Sequence, residues 1–95
     1  MIINISDLRK ITNLLLTRLE EEGHTSVEIS QDYYWDIAKE KRFNPYEEPK
    51  ELTLGQLTDD WNEINNILKK QNPPISYALV WVAAILRVIG EETIV

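Results

Sequence analysis

The longest apolar stretch of the chain runs from Ile75 to Gly90, ISYALVWVAAILRVIG, and holds no charged residue before Arg87. A buried strand usually ends within about eight residues, so the length of this run favours a helix. A helix that is apolar on every side has to be enclosed by other elements. The pattern therefore predicts a central helix at 75–89, with Ser76 as its N-cap and Gly90 as its C-terminal stop.

A second helix is predicted at 6–22, where apolar residues recur at three- and four-residue steps. Ser6 is placed to cap this helix, and Gly23 is placed to end it. Its apolar stripe consists of Leu8, Ile11, Leu15 and Leu19, widened by Leu14 and Leu16.

A third helix is predicted at 54–70, because Thr53-Leu54-Gly55-Gln56 has the spacing of a capping box. Thr58 is the alternative start, since Gly55 is a poor residue for a first helical turn. The predicted apolar face of this helix consists of Leu54, Leu57, Trp61, Ile64 and Ile67 or Leu68.

The stretch 25–37 is ambiguous between strand and helix. Its large apolar residues alternate with polar ones, which is typical of a strand and predicts a short hairpin or extended segment with its turn at 30–32. The alternative is a helix at 31–42 capped by Ser30. We favour the hairpin, followed by a helical turn at 38–42.

The stretch 43–51, FNPYEEPKE, is predicted to be a loop because Pro45 and Pro49 interrupt regular structure. The last two residues, Ile94 and Val95, are expected to pair as an edge strand or to fray.

Composition narrows the possible functions. The 95 residues carry a formal net charge of −6 and include no Cys. Nucleic-acid binding requires clustered Lys and Arg, so an acidic chain disfavours it. Without Cys there is no disulfide, thiol nucleophile or cysteine metal cluster, which fits a cytoplasmic location. The start of the chain lacks the pattern of a signal peptide, and the helix at 75–89 is too short to favour a membrane span.

The chain offers few residues for catalysis or metal binding. Glu20 or Glu21 with His24 gives a spacing used in dimetal sites, but His24 is the only His and follows the helix stop at Gly23. Asp59, Asp60 and Glu63 fall on the predicted polar side of the 54–70 helix, where they favour its dipole rather than acid–base chemistry. We therefore predict no catalytic residue, no metal site and no cofactor.

Aromatic residues are the most suggestive feature for binding. If 33–35 is extended, Tyr33 and Trp35 face one side and Tyr34 the other. Trp35 and Trp61 are expected in the core, whereas for Tyr34 and Tyr46 core packing and contact with a protein partner are equal alternatives. The predicted partner-binding residues are Tyr34, Tyr46, Glu47 and Glu48.

Four segments together resemble a group of small uncharacterised bacterial proteins. They are DYYWDI at Asp32–Ile37, NPYEEP at 44–49, LTLGQLTDDW at Leu52–Trp61 and ILRVIGEE at 85–92. In size and acidity such proteins are similar to immunity proteins and antitoxins, which mask a toxic and often basic partner. The resemblance implies protein binding and no particular chemistry.

The sequence thus predicts one domain spanning 1–95, mainly α. Its three principal helices form a compact bundle in which the apolar helix at 75–89 lies between the other two. The predicted function is a non-enzymatic acidic module that binds a protein partner, which is expected to be basic. The alternatives are a structural homo-oligomer, whose second subunit covers the apolar helix, and a small metal-binding protein or enzyme.

Overall fold

The computed structural model describes residues 1–69 and 75–93. The helices in these ranges are α1 (Ile5–Glu21), α2 (Lys39–Arg42), α3 (Leu57–Ile67) and α4 (Ile75–Glu92). The strands are β1 (Tyr33–Ile37) and β2 (Leu52–Gln56), which pair antiparallel. The chain is therefore mainly α with one small two-stranded sheet.

Local capping determines both ends of α1. Asn4 is the N-cap, because its Oδ1 accepts a hydrogen bond from the Ser6 backbone N–H at 3.0 Å. The prediction that Ser6 caps the helix is wrong, since Ser6 lies inside it and its hydroxyl donates to the same Asn4 oxygen. Gly23 ends the helix as predicted, at a φ of 96°. The His24 N–H then bonds to the Leu19 carbonyl at 2.9 Å, which completes a Schellman motif.

The hairpin predicted within 25–37 is present only in part. Strand β1 begins at Tyr33, and it pairs with β2 rather than with residues at 25–29. Tyr33 lies opposite Gln56, and Ile37 lies opposite Leu52. The predicted turn at 30–32 is therefore wrong, and the true connection includes α2 and the proline-containing segment at 43–51. Periodicity identified the strand, but its partner is distant in sequence and has no local signal.

Residues 53–56 belong to β2, so the predicted capping box and helix start at 54 are wrong. Helix α3 begins at Leu57, one residue before the alternative start. Its formal N-cap, Gln56, makes no capping bond with its side chain. Asp32 performs this role instead: its Oδ1 accepts hydrogen bonds from the Thr58 N–H at 2.9 Å and from the Thr58 hydroxyl at 2.6 Å. The cap therefore comes from a residue that immediately precedes β1.

Helix α4 starts at Ile75 as predicted but continues through Gly90 to Glu92. Gly90 does not adopt a left-handed conformation, so its predicted role as the helix stop is wrong. Ser76 lies inside the helix rather than at a cap. Lys70, the segment 71–74 and the predicted tail at 94–95 lie outside the described residues.

The most extensive packing among the described elements is between β1 and β2 and between α3 and α4. The buried apolar core consists of Leu57, Ile85 and Val88. Much of α4 remains exposed, including Tyr77 (68%), Leu79 (64%) and Val80 (50%). The predicted bundle, with α4 enclosed between the other two helices, is not seen in the described part of this single chain.

The solvent-accessible surface area of the chain is larger than that of a compact protein of the same mass. The chain exposes 8579 Å². A compact monomer of its 11.1 kDa mass would expose about 5,700 Å² by the usual scaling with mass. Its radius of gyration is 15.3 Å, against about 12 Å for a compact domain of this length. Apolar side chains supply much of this exposed surface, as the α1 and α4 residues show.

Candidate protein-binding surface

The two faces of the sheet have different environments because side chains alternate along each strand. Tyr34 points inward and is half-buried, and its hydroxyl donates a hydrogen bond to Asp60 Oδ2 at 2.6 Å. Asp60 is one of the few buried residues, at 8% exposure. The expectation that Asp60 lies on the polar side of its helix is therefore wrong. This hydrogen bond fastens the sheet to the first turn of α3.

Gly55 allows this arrangement. It lies directly opposite Tyr34 in the sheet, and the tyrosine ring occupies the space above it. A Cβ atom at position 55 would collide with three carbons of that ring. An aromatic ring that covers a cross-strand glycine protects its backbone and helps to set the register.

The environment of Tyr34 favours its protonated form. Burial, followed by the hydrogen bond and the negative charge of Asp60, raises the pKa of Tyr34 to about 12. Asp36 adds a smaller contribution in the same direction. The phenol therefore acts as a hydrogen-bond donor at neutral pH, which is a structural role.

The environment of Asp32, in contrast, favours its charged form. Hydrogen bonds from the Thr58 hydroxyl, from the Gln56 amide at 2.7 Å and from the Thr58 backbone lower the pKa of its carboxyl group. All three donors stabilise the charged form. Asp32 thus remains an anion at the N-terminus of α3, where the helix dipole also favours negative charge.

The outer face of the sheet is apolar and exposed. It carries Tyr33 and Trp35 from β1, which are 60% and 68% exposed, and Leu54 from β2, which is 60% exposed. Leu54 lies directly opposite Trp35, and Leu52 continues the same face. Sequence periodicity placed Tyr33 and Trp35 on one side, as found, but the expectation that Trp35 is in the core is wrong. Trp61 is also half exposed rather than enclosed.

The segment 43–51 joins the strands at the end of the sheet where Ile37 pairs with Leu52. It adds two highly exposed aromatic residues, Phe43 at 80% and Tyr46 at 97%. The Asn44 side-chain oxygen accepts a hydrogen bond from the Tyr46 N–H at 3.1 Å, which shapes the turn that presents the ring. Aromatic side chains held in the open by the backbone are typical of interface residues.

The four predicted partner-binding residues fall into two environments. Tyr46, Glu47 and Glu48 lie together on the 43–51 segment, and all three are exposed. Glu47 also forms an ion pair with Lys41 of α2, which keeps the segment close to that helix. Tyr34 lies apart, turned toward Asp60. Its role in partner binding remains a prediction.

Part of the negative charge near the 43–51 segment is neutralised by ion pairs. Besides the Lys41–Glu47 pair, Arg42 contacts Asp36 Oδ1 at 2.7 Å and the Ile37 carbonyl at 2.6 Å. These contacts tie α2 to the end of β1. Glu48 and Glu51 are exposed beside them. The acidic excess is therefore spread over the molecule rather than concentrated at one point.

Within residues 1–69 and 75–93, no three His, Asp or Glu side chains are grouped so that they could hold a metal ion. His24 is part of the turn that ends α1. No helix in the same ranges has both the length and the apolar content to cross a bilayer.

The structural positions of Asp32, Leu52 and Leu54 are not predicted by the sequence pattern. Asp32 was assigned to a turn, whereas it caps a helix distant in sequence. Leu52 lies between the predicted loop at 43–51 and the predicted helix, and Leu54 is at the predicted helix start, although the order Leu52-Thr53-Leu54 does alternate as a strand does. Comparison with protein-family models, with curated proteins and with solved structures finds no match to this chain.

Proposed function

We propose that this protein is a non-enzymatic protein-binding module that masks a basic partner, in the manner of immunity proteins and antitoxins. The observation that carries the proposal is the outer face of the sheet, where Tyr33, Trp35 and Leu54 are exposed side by side. We define the binding surface as this face, with Leu52, together with Phe43, Tyr46, Glu47 and Glu48 of the adjoining segment.

The chemistry of this surface suits a protein partner. Exposed apolar patches on soluble monomers mark interaction sites, and Trp and Tyr contribute most of the binding free energy at interfaces. Among the described residues the sheet consists of β1 and β2, so each of these strands also has an edge that no other described strand pairs with. A partner strand could add to either edge through main-chain hydrogen bonds.

Charge supports a basic partner. The net charge of −6 attracts a basic protein at long range and raises its association rate, an effect that salt weakens. The exposed carboxylates of Glu48 and Glu51 border the aromatic residues, where Lys or Arg of a partner would reach them. Apolar contact then supplies most of the affinity, and the carboxylates supply orientation.

The test is capture of a partner from a lysate of the native host, with the tagged chain as bait. Wild type is expected to capture a basic protein, and the variant Glu47→Lys/Glu48→Lys is expected to lose it. Glu91→Lys/Glu92→Lys is the matched control, since it makes the same change in net charge at the end of α4. Equal loss in both variants would show that net charge alone drives capture, and retention in both would exclude the 43–51 segment as the contact.

A second variant tests the apolar part of the surface. Trp35→Ala is expected to weaken the purified complex by at least about tenfold, because a central interface Trp contributes at least about 1–2 kcal/mol. Its thermal midpoint in the absence of partner should stay close to wild type, because Trp35 is 68% exposed. Isothermal titration calorimetry measures the first effect, and circular dichroism measures the second.

A further inference from the structure

We propose that α1 is exchanged between two copies of this chain, so that α1 of each copy lies in an apolar groove of the other. This inference does not rest on the proposed function, because it uses a different surface. It is based on the exposure of α1, the composition of the groove, the surface area of the chain and the distribution of charge.

Most of the apolar stripe of α1 is left exposed by the described part of its own chain. Leu8, Ile11 and Leu15 lie on one side of the helix, and they are 49%, 55% and 60% exposed. No residue of α1 is buried. Most of the stability of an amphipathic helix in water comes from packing its apolar side. A helix of 17 residues with an uncovered stripe therefore requires a covering surface.

The groove that we assign to this stripe has a volume of about 710 Å³. Its floor is formed by Leu57 and Trp61 of α3 and by Ile85 and Ile89 of α4, which are adjacent to the small core. The C-terminal end of α1 borders the groove with Leu16 and Leu19, whereas Leu8, Ile11 and Leu15 are not among the residues that line it. The groove is therefore open to the α1 stripe of another molecule.

The exposed area indicates a second copy as the occupant. The chain exposes about 1.5 times the area of a compact monomer of its mass, an excess of nearly 3,000 Å². Obligate dimers bury roughly 1,000–2,500 Å² on each subunit. Reciprocal exchange of α1 would cover area of this order on both copies with one isologous interface, which is the commonest symmetry of homo-oligomers.

Charge also favours exchange. Residues 1–18 contain Arg9, Lys10 and Arg18 against the single acid Asp7, a net charge of +2. Since the whole chain carries −6, the remaining residues carry −8. The exposed carboxylates of Asp59 and Glu63 lie on α3, whose Leu57 and Trp61 form part of the groove floor. The acids Glu20 and Glu21 lie in the last turn of α1, so the helix as a whole is neutral and its positive charge is confined to the earlier turns. These turns would meet an acidic body, which offsets part of the repulsion between two acidic chains.

Exchange would also restore the bundle that the sequence predicts. The α1 helix of one copy would pack against α3 and α4 of the other, so that α4 again lies among helices. The apolar pattern of Ile75–Gly90 is then satisfied between molecules rather than within one.

The first measurement is the mass in solution by sedimentation velocity over a wide concentration range. Wild type should sediment as a dimer of the 11.1 kDa chain, and its thermal midpoint should rise with concentration. Ile11→Glu should dissociate the dimer, whereas Asn13→Glu, on the opposite side of the same helix, should not. A wild-type monomer at all concentrations would overturn the proposal.

Cysteine cross-linking keeps the proposal testable even if Ile11→Glu fails to fold. The chain has no Cys, so introduced thiols have no competitors. One tagged copy carries Ile11→Cys, and an untagged copy carries Ile89→Cys. Oxidation of the mixture should yield the mixed disulfide dimer, and Asn13→Cys in place of Ile11→Cys should yield much less. Equal yields from both, or no mixed dimer, would contradict the exchange.

A third variant separates exchange from folding back within one chain. Ile11→Cys and Ile89→Cys are placed in the same chain and oxidised at low and high concentration. Exchange predicts disulfide-linked dimers, with a yield that rises with concentration. A closed monomer as the main product at every concentration would show that α1 covers its own groove, which would overturn the proposal.

Discussion

The Tyr34 hydroxyl donates a 2.6 Å hydrogen bond to Asp60 Oδ2, and this contact joins the inner face of the sheet to helix α3. A carboxylate at 8% exposure needs such a donor, because an unpaired buried charge is costly. The same ring covers Gly55, so one tyrosine fixes both the sheet register and the position of the sheet on the helix.

Removing only the Tyr34 hydroxyl should therefore destabilise the fold. Tyr34→Phe leaves Asp60 without its donor, and we expect a loss of about 1.5–3 kcal/mol in the free energy of unfolding. Urea denaturation measures it, with Tyr33→Phe on the outer face as the control. In a double-mutant cycle, Tyr34→Phe and Asp60→Ala should not be additive. Additive losses would show that the two groups do not interact.

Replacement of Gly55 by a residue with even the smallest side chain should destabilise the protein. Gly55→Ala places a Cβ atom against the Tyr34 ring, so we expect destabilisation and loss of the ordered packing of that ring. Gly90→Ala is the matched control: nothing lies near its Cβ, and the residue is inside α4. This control should stabilise the protein by about 0.5–1 kcal/mol. Equal effects at the two glycines would contradict the contact between Tyr34 and Gly55.

Asp32 should be needed for α3 although it lies outside that helix. Asp32→Ala removes the acceptor for the Thr58 N–H, so we expect a decrease in the free energy of unfolding, as for the loss of other N-caps. Because hydrogen bonds lower the pKa of Asp32, its contribution is present above the ordinary carboxyl pKa and is lost as pH falls through the lowered value. Chemical denaturation at pH 7 and at acid pH measures this. Glu28→Ala, an exposed acid nearby in sequence, should have little effect.

Alkaline pH should lower the free energy of unfolding, because it ionises the tyrosine that joins the sheet to α3. Tyr34 has a pKa of about 12 in the folded protein, above the ordinary value of 10. Between these values the unfolded chain has released the proton and the folded chain retains it, so stability decreases as pH rises through this window. The decrease should be smaller in Tyr34→Phe. Phenolate absorbance should show one fewer late-titrating tyrosine in that variant, and identical titrations would contradict the assignment.

Several features of the fold could be predicted because their causes are local. The three- and four-residue spacing of Leu8, Ile11 and Leu15 predicts α1, and Gly23 predicts its end. The charge-free run after Ile75 predicts α4. The predicted helical turn at 38–42 contains α2. Capping and periodicity act within one or two turns, so sequence reasoning detects them.

Other features depend on residues far apart in the chain. Residues 53–56 have the spacing of a capping box, and only their pairing with β1 shows that they form a strand. Asp32 has the sequence context of a turn residue, and only its position beside α3 shows that it caps that helix. Of the predicted binding residues, Tyr46, Glu47 and Glu48 are exposed together, but the Tyr33, Trp35 and Leu54 face formed only when the two strands paired.

The sequence by itself determined that this protein is mainly helical, that it is acidic, and where its principal apolar segments lie, because these properties follow from residue identity and short-range spacing. Only the tertiary structure decided which segments meet: β1 with β2, α3 with α4, Tyr34 with Asp60. It also showed that Leu8, Ile11 and Leu15 of α1 and much of α4 are exposed in the described part of one chain. Burial depends on how elements distant in sequence are arranged in space, and hydrophobic periodicity does not encode that arrangement.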